Sequence, residues 1–66
     1  MKNGYIIATA SYWHWAAYDK KQWEKNMKEH GNRYYIYETY YEAELDIPDA
    51  LIDLCHEHLT IIKIYF

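Results

Sequence analysis

A chain of 66 residues is sized for one domain, 1–66, and at this length folding hides only about 60% of the surface that the extended chain exposes, so stability needs an added source. A single cysteine excludes an intrachain disulfide, and nine tyrosines, three tryptophans and one phenylalanine supply aromatic mass in its place. The formal net charge of −3 argues against a general nucleic-acid binder, because phosphate neutralisation carries most of such affinity.

So many rings in so short a chain leave several at the surface or in a subunit contact, where an exposed apolar patch marks an interaction site. The lone cysteine suits a reducing, cytoplasmic setting. The opening MKNGYIIATASYW lacks the continuous apolar run and cleavage pattern of a signal peptide, and no run approaches the roughly 20 apolar residues of a membrane span. Many Ile, Tyr and Asn, no valine and six lysines against one arginine are what AT-rich codons yield, as in a low-GC bacterium or its phage.

In chain order, Gly4 precedes a β-favouring run, GYIIATASYWHW, which predicts a strand over about 5–14. In YDKKQWEKNMKEHG, Asp19 is placed to cap a helix with Gln22 at N3, Tyr18 and Trp23 are spaced as a hydrophobic staple, and Gly31 is the natural C′ terminator. At 100° per residue Trp23, Met27 and His30 share one stripe, and Lys21, Lys25 and Lys28 share the opposite one. A competing start at Ser11 would run this helix from Tyr12 to His30. RYYIYETYYEAEL, residues 33–45, is rich in tyrosine, isoleucine and threonine and predicts a strand. DIPDALIDLCHEHL then predicts a second helix, with Asp46 as cap, Pro48 in the first turn, Asp49 facing the helix dipole, and Ile47, Leu51, Leu54 and Cys55 as its buried stripe. TIIKIYF closes the chain as a strand, with Ile62, Ile64 and Phe66 on one side and Ile61, Lys63 and Tyr65 on the other.

The expected fold class is therefore α+β, a small single domain in β-α-β-α-β order. Its three-stranded sheet would carry both helices on one face, joined by right-handed crossovers, and leave the other face open to water or to a partner. Alternation sorts the central strand into an inward set (Tyr35, Tyr37, Thr39, Tyr41, Ala43, Leu45) and an outward set (Tyr34, Ile36, Glu38, Tyr40, Glu42, Glu44). The outward set joins three carboxylates to aromatic rings and is the candidate partner-binding face. Glu42 and Glu44 would stand on the order of 7 Å apart along a strand, the scale of successive phosphates in an extended nucleic-acid strand. A solvated, edge-protecting role would account for the glutamates alone; the tyrosines favour an interface.

Catalytic motifs are absent: there is no glycine-rich loop and no phosphate-binding motif, and Cys55 as a nucleophile would need an activating base, a group to orient it and a cleft for which so small a domain has little room. In CHEH, His56 and His58 lie about 200° apart around a helix, so they cannot share an ion. Cys55 and His58 could share one, but only with two more ligands such as His14 or His30, and a packed His58 is the simpler expectation. No cofactor, metal or enzymatic activity is expected. The lysine face, Lys21, Lys25 and Lys28 with Lys20, lies near Trp13 and Trp15 and is the alternative site for single-stranded nucleic acid, though Glu24 and Glu29 interrupt it. The sequence thus predicts a non-enzymatic protein-binding domain. Its most concrete version is a phage- or mobile-element-type inhibitor that blocks a host nucleic-acid enzyme, such as a defence nuclease or DNA-repair enzyme, as a DNA mimic. A structural or regulatory homo-oligomer, such as a homodimer, using the same rings is the rival.

Overall fold

The computed structural model describes residues 2–9, 16–55 and 58–66. Among them the element order is β1 (Asn3–Thr9), α1 (Trp23–His30), α2 (Tyr40–Leu45), α3 (Ile47–Leu54) and β2 (Leu59–Tyr65). The protein is a small α+β structure with an antiparallel sheet, but that sheet has two strands among the described residues, not three, and the order is β-α-α-α-β. The two strands run antiparallel from Asn3 opposite Tyr65 to Thr9 opposite Leu59, so the expected right-handed crossovers between parallel strands do not arise.

Lys2 and Phe66 exchange both backbone hydrogen bonds at 2.8 Å, which sets the alternation of the whole ladder. Even-numbered residues of β1 bond to β2. Odd-numbered residues present their backbone to the opposite side, and there the chain supplies two separate fragments. Tyr18 N donates to Ile7 O (2.8 Å) and Thr9 N to Ala16 O (2.8 Å), while Tyr5 and Tyr37 exchange bonds of 2.9 and 2.7 Å. Tyr35 N donates to Tyr18 O at 3.0 Å and joins the fragments end to end. The third place in the sheet is thus filled by residues 16–18 and 37, with α1 inserted between them as an excursion.

This arrangement corrects the first helix. The competing start from Tyr12 fails because residues 16–22 are not helical and Ala17 bridges Ala8; residues 10–14 of the expected first strand lie outside the described residues. Asp19 makes a local turn in place of a cap: its Oδ1 accepts from Lys21 N (2.8 Å), its carbonyl accepts from Gln22 N (3.0 Å) and Asn26 Nδ2 (3.1 Å), and Lys20 and Lys21 both take φ of 56°. The staple does not form, since Tyr18 is buried in the core while Trp23 is 46% exposed. Gly31 does close α1 as expected, in the left-handed region at φ 73°, with its N–H on Met27 O at 2.9 Å. The residue that α1 buries is Asn26, not the Trp23–Met27 stripe, because Asn26 Nδ2 is the group that ties the helix to the turn.

The core joins the odd face of the sheet to α2 and α3. Ile7, Tyr18, Tyr37, Ala43 and Ala50 form it, and Tyr5, Tyr35, Ile47, Leu54, Leu59 and Ile61 pack around them. Ala43 and Ala50 are fully buried; without long side chains they let two helices sit close on the strands. The expected stripe of the last helix holds for Ile47 and Leu54, whereas Cys55 is exposed and ends α3 in the left-handed region at φ 50°. The opposite face of β1 is not open either. Ile6 and Ala8 are buried, and at Gly4 the side chains of Ile36 and Phe66 lie over the strand.

A methyl group added at Gly4 would collide with Ile36 Cγ2 and approach Tyr37 O to 3.1 Å, and neither a β-branched side chain nor a bonded backbone yields easily. Gly4→Ala should therefore destabilise the protein by about 1–3 kcal/mol, read as a lower urea midpoint with an unchanged slope.

Candidate interaction surface

The surface is organised by what happens to residues 35–46. Tyr37 is 3% exposed, and while its backbone bridges Tyr5 its hydroxyl donates to Asp46 Oδ2 at 2.7 Å. Lys20 Nζ reaches the same oxygen at 3.2 Å and lies 4.9 Å from the Tyr35 ring centroid and 5.8 Å from that of Tyr37. Tyr35 and Tyr37 meet edge to face at 4.6 Å. Asp46 stands at the N-cap position of α3 as expected but makes no side-chain cap bond; its carboxylate is spent on the tyrosine and the lysine. Burial and then the Asp46 bond push the Tyr37 phenol up, and the Asp46 bond pushes Lys20 up. Tyr18 is also raised, by burial first and then by the field of Asp49.

From Tyr40 to Leu45 the chain is helical, which overturns the extended reading of residues 33–45. Thr39 is extended (φ −129°, ψ 154°) and its Oγ1 accepts from Glu42 N at 3.1 Å. Thr39 and Glu42 stand in the T-x-x-E spacing of a capping box ahead of Ala, Glu and Leu, and that signal in the sequence outweighs the β preference of two tyrosines. Pro48 has no N–H to offer the Glu44 carbonyl, so α2 ends at Leu45 and the chain restarts as α3 after Asp46.

The change of period changes the faces. With 100° per residue, Ala43 points to the core, Tyr41 and Leu45 share the opposite crest, and Glu42 and Glu44 flank that crest on its two sides. Tyr41 is 68% exposed and Leu45 60%, although both belong to the set expected to face inward. Of that set, Tyr37 and Ala43 are buried.

The outward set is not one face. Tyr34 is half-buried and stacks on His30 at 5.6 Å, whose two ring nitrogens are buried with no hydrogen-bond partner. Ile36 is half-buried against Gly4. Tyr40 is 52% exposed and meets the Tyr5 ring edge to face at 5.9 Å. Glu38, Glu42 and Glu44 are all exposed, and Glu38 and Glu42 share with Leu45 and Lys20 the rim of a groove of about 470 Å³ floored by Tyr35 and Tyr37. The structure therefore brings Glu38 and Glu42 together in one groove that Ile36 also lines, and sends Tyr34 elsewhere.

The lysines do not make one helical stripe. Lys21 precedes α1, Lys25 lies 3.9 Å from Glu29, Lys28 is exposed, and Lys20 is engaged by Asp46. Cys55 and His58 are exposed, contrary to the packed position expected for His58; His14 and His56 lie outside the described residues. No group of three or more His, Cys, Asp or Glu among the described residues could hold a metal ion, and no described helix is long and apolar enough to cross a membrane.

No family model, curated protein or solved structure matches the chain.

Tyr37→Phe removes one donor from the Asp46 carboxylate while keeping the ring, and should cost about 1–2 kcal/mol at neutral pH. Tyr37, Tyr18 and Lys20 all hold their protons more tightly folded than unfolded, so their contribution is complete below about pH 10 and is lost as pH rises beyond it. Urea midpoints should fall as the pH rises above about 10, and fall less in Tyr37→Phe than in the wild type. Thr39→Ala removes the α2 cap and should lower stability by about 0.5–2 kcal/mol, with faster amide exchange at Glu42.

Proposed function

We propose that this protein is a non-enzymatic protein-binding domain that docks through the α2 crest, with Tyr41 and Leu45 as apolar anchors and Glu38, Glu42 and Glu44 around them. The observation that carries this reading is the exposure of Tyr41 (68%) and Leu45 (60%) side by side on a helix whose third turn-facing residue, Ala43, is fully buried. A solvated helix has no use for two large apolar groups on its crest, whereas an interface uses such anchors at its centre and charge at its rim. The ring of carboxylates and the net charge of −3 select a partner with an apolar pocket bordered by lysine or arginine.

The basic groove of a nucleic-acid enzyme has this character. An inhibitor of such an enzyme, of the kind a phage or mobile element would carry, is the narrower form of the proposal. It rests on charge and aromatic anchoring alone, because helical Glu42 and Glu44 diverge and do not reproduce a phosphate spacing.

The test uses a purified partner retained by the wild-type chain. Tyr41→Ala and Leu45→Ala should each weaken its binding by roughly tenfold or more while shifting stability by less than about 0.5 kcal/mol, and Glu42→Lys should weaken it most at low salt. Normal binding by both truncation variants would place the contact elsewhere. For the narrower form, duplex DNA should compete for the same partner; a partner that binds DNA and this protein together would remove it.

A further inference from the structure

The alternation set by the Lys2–Phe66 pair also decides which backbone groups of β2 face away from β1. Phe66, Ile64, Ile62 and Thr60 turn theirs to β1, so Leu59, Ile61, Lys63 and Tyr65 turn their N–H and C=O groups to the far side. No described residue bonds to that side. On β1 the equivalent odd positions are covered by Ala16, Tyr18 and Tyr37. On β2 they form, among the described residues, an open edge seven residues long, LTIIKIY, with one charge, no proline and no bulge, and an edge of this kind is a template for a further strand.

We propose that the β2 edge pairs with the β2 edge of a second copy, antiparallel about a two-fold axis at Ile62, to make one continuous sheet across a homodimer. The register follows from the positions of the free groups. With the axis at Ile62, Leu59 stands opposite the second copy's Tyr65 and Ile61 opposite its Lys63, so all four outward residues on each copy exchange both bonds. Moving the axis to Ile61 or to Lys63 leaves one of those four residues without an outward-facing partner, and the second choice also sets Lys63 against Lys63. The Ile62 register alone combines full backbone pairing with separated charges. Its cross-strand pairs set Ile62 on Ile62 at the axis and Tyr65 on Leu59 on the other face, and Tyr65, 62% exposed in the single chain, gains a neighbour. The edge is a different surface from the α2 crest and does not rest on the reading of that crest.

Analytical ultracentrifugation of the whole chain across micromolar to millimolar concentration should show reversible growth from 8.1 kDa to twice that mass. Amide exchange at Leu59, Ile61, Lys63 and Tyr65 should slow as concentration rises. Lys63→Pro deletes an outward N–H without touching the β1–β2 ladder, and should weaken the dimer by roughly tenfold or more. Because proline could disturb the strand, a second arm reads the register directly: in a Cys55→Ser background under a mild oxidant, Ile62→Cys should cross-link into a dimer and Ile64→Cys should not. A monomer throughout the concentration range, a dimer with unprotected Leu59, Ile61, Lys63 and Tyr65 amides, or cross-linking through Ile64→Cys in preference to Ile62→Cys would overturn the proposal. So would pairing of this edge only with a strand of a different protein.

Discussion

Tyr37 is the residue on which the rest of the structure depends. Its backbone is paired with Tyr5, its ring is in the core, and its hydroxyl holds Asp46 at the start of α3. Three parts of the chain that share no continuous secondary structure are thereby fixed to one residue. Lys20 completes the junction: it neutralises Asp46 and lies over the Tyr35 and Tyr37 rings, so the buried phenol meets a carboxylate whose charge is balanced. The left-handed backbone at Lys20 and Lys21 turns the chain away from β1 at this point and into the excursion that holds α1.

That junction explains how a 66-residue chain stays folded on a core with few large aliphatic groups inside it. Ile7 is the one large side chain below 2% exposure among the described residues, and Tyr18 and Tyr37 supply the bulk around it. A buried tyrosine requires a partner for its hydroxyl. Meeting that need at Asp46 converts a space-filling ring into a tie between layers, which an isoleucine could not provide.

The same economy sets the surface. Filling the core with Tyr37, Ala43 and Ala50 leaves no inward place for Tyr41 or Leu45, and capping α2 at Thr39 turns them outward between two glutamates. Covering the outer side of β1 with two chain fragments leaves β2 as the edge of the sheet among the described residues. The crest and the edge are both consequences of how the interior was satisfied, and they differ in kind: one offers side chains and charge, the other backbone hydrogen bonds.

Local signals in the sequence determined the flanking strands, the end of α1 at Gly31 and the start of α3, because each rests on interactions within a few residues: β-favouring residues in NGYIIAT and LTIIKIY, a glycine that accepts φ of 73°, and a proline in a first helical turn. The T-x-x-E spacing at Thr39 and Glu42 was also legible, and it loses to the β preference of tyrosine only when propensity is read without capping. What only the tertiary structure decided is the pairing of Tyr37 with Tyr5, the burial of Asn26 in place of Trp23 and Met27, and the use of Asp46 as an acceptor rather than a cap. These join residues far apart in the chain, or set a turn against a helix, and the choice falls to whichever arrangement leaves the fewest buried polar groups unpaired. No periodicity in a single segment carries that information.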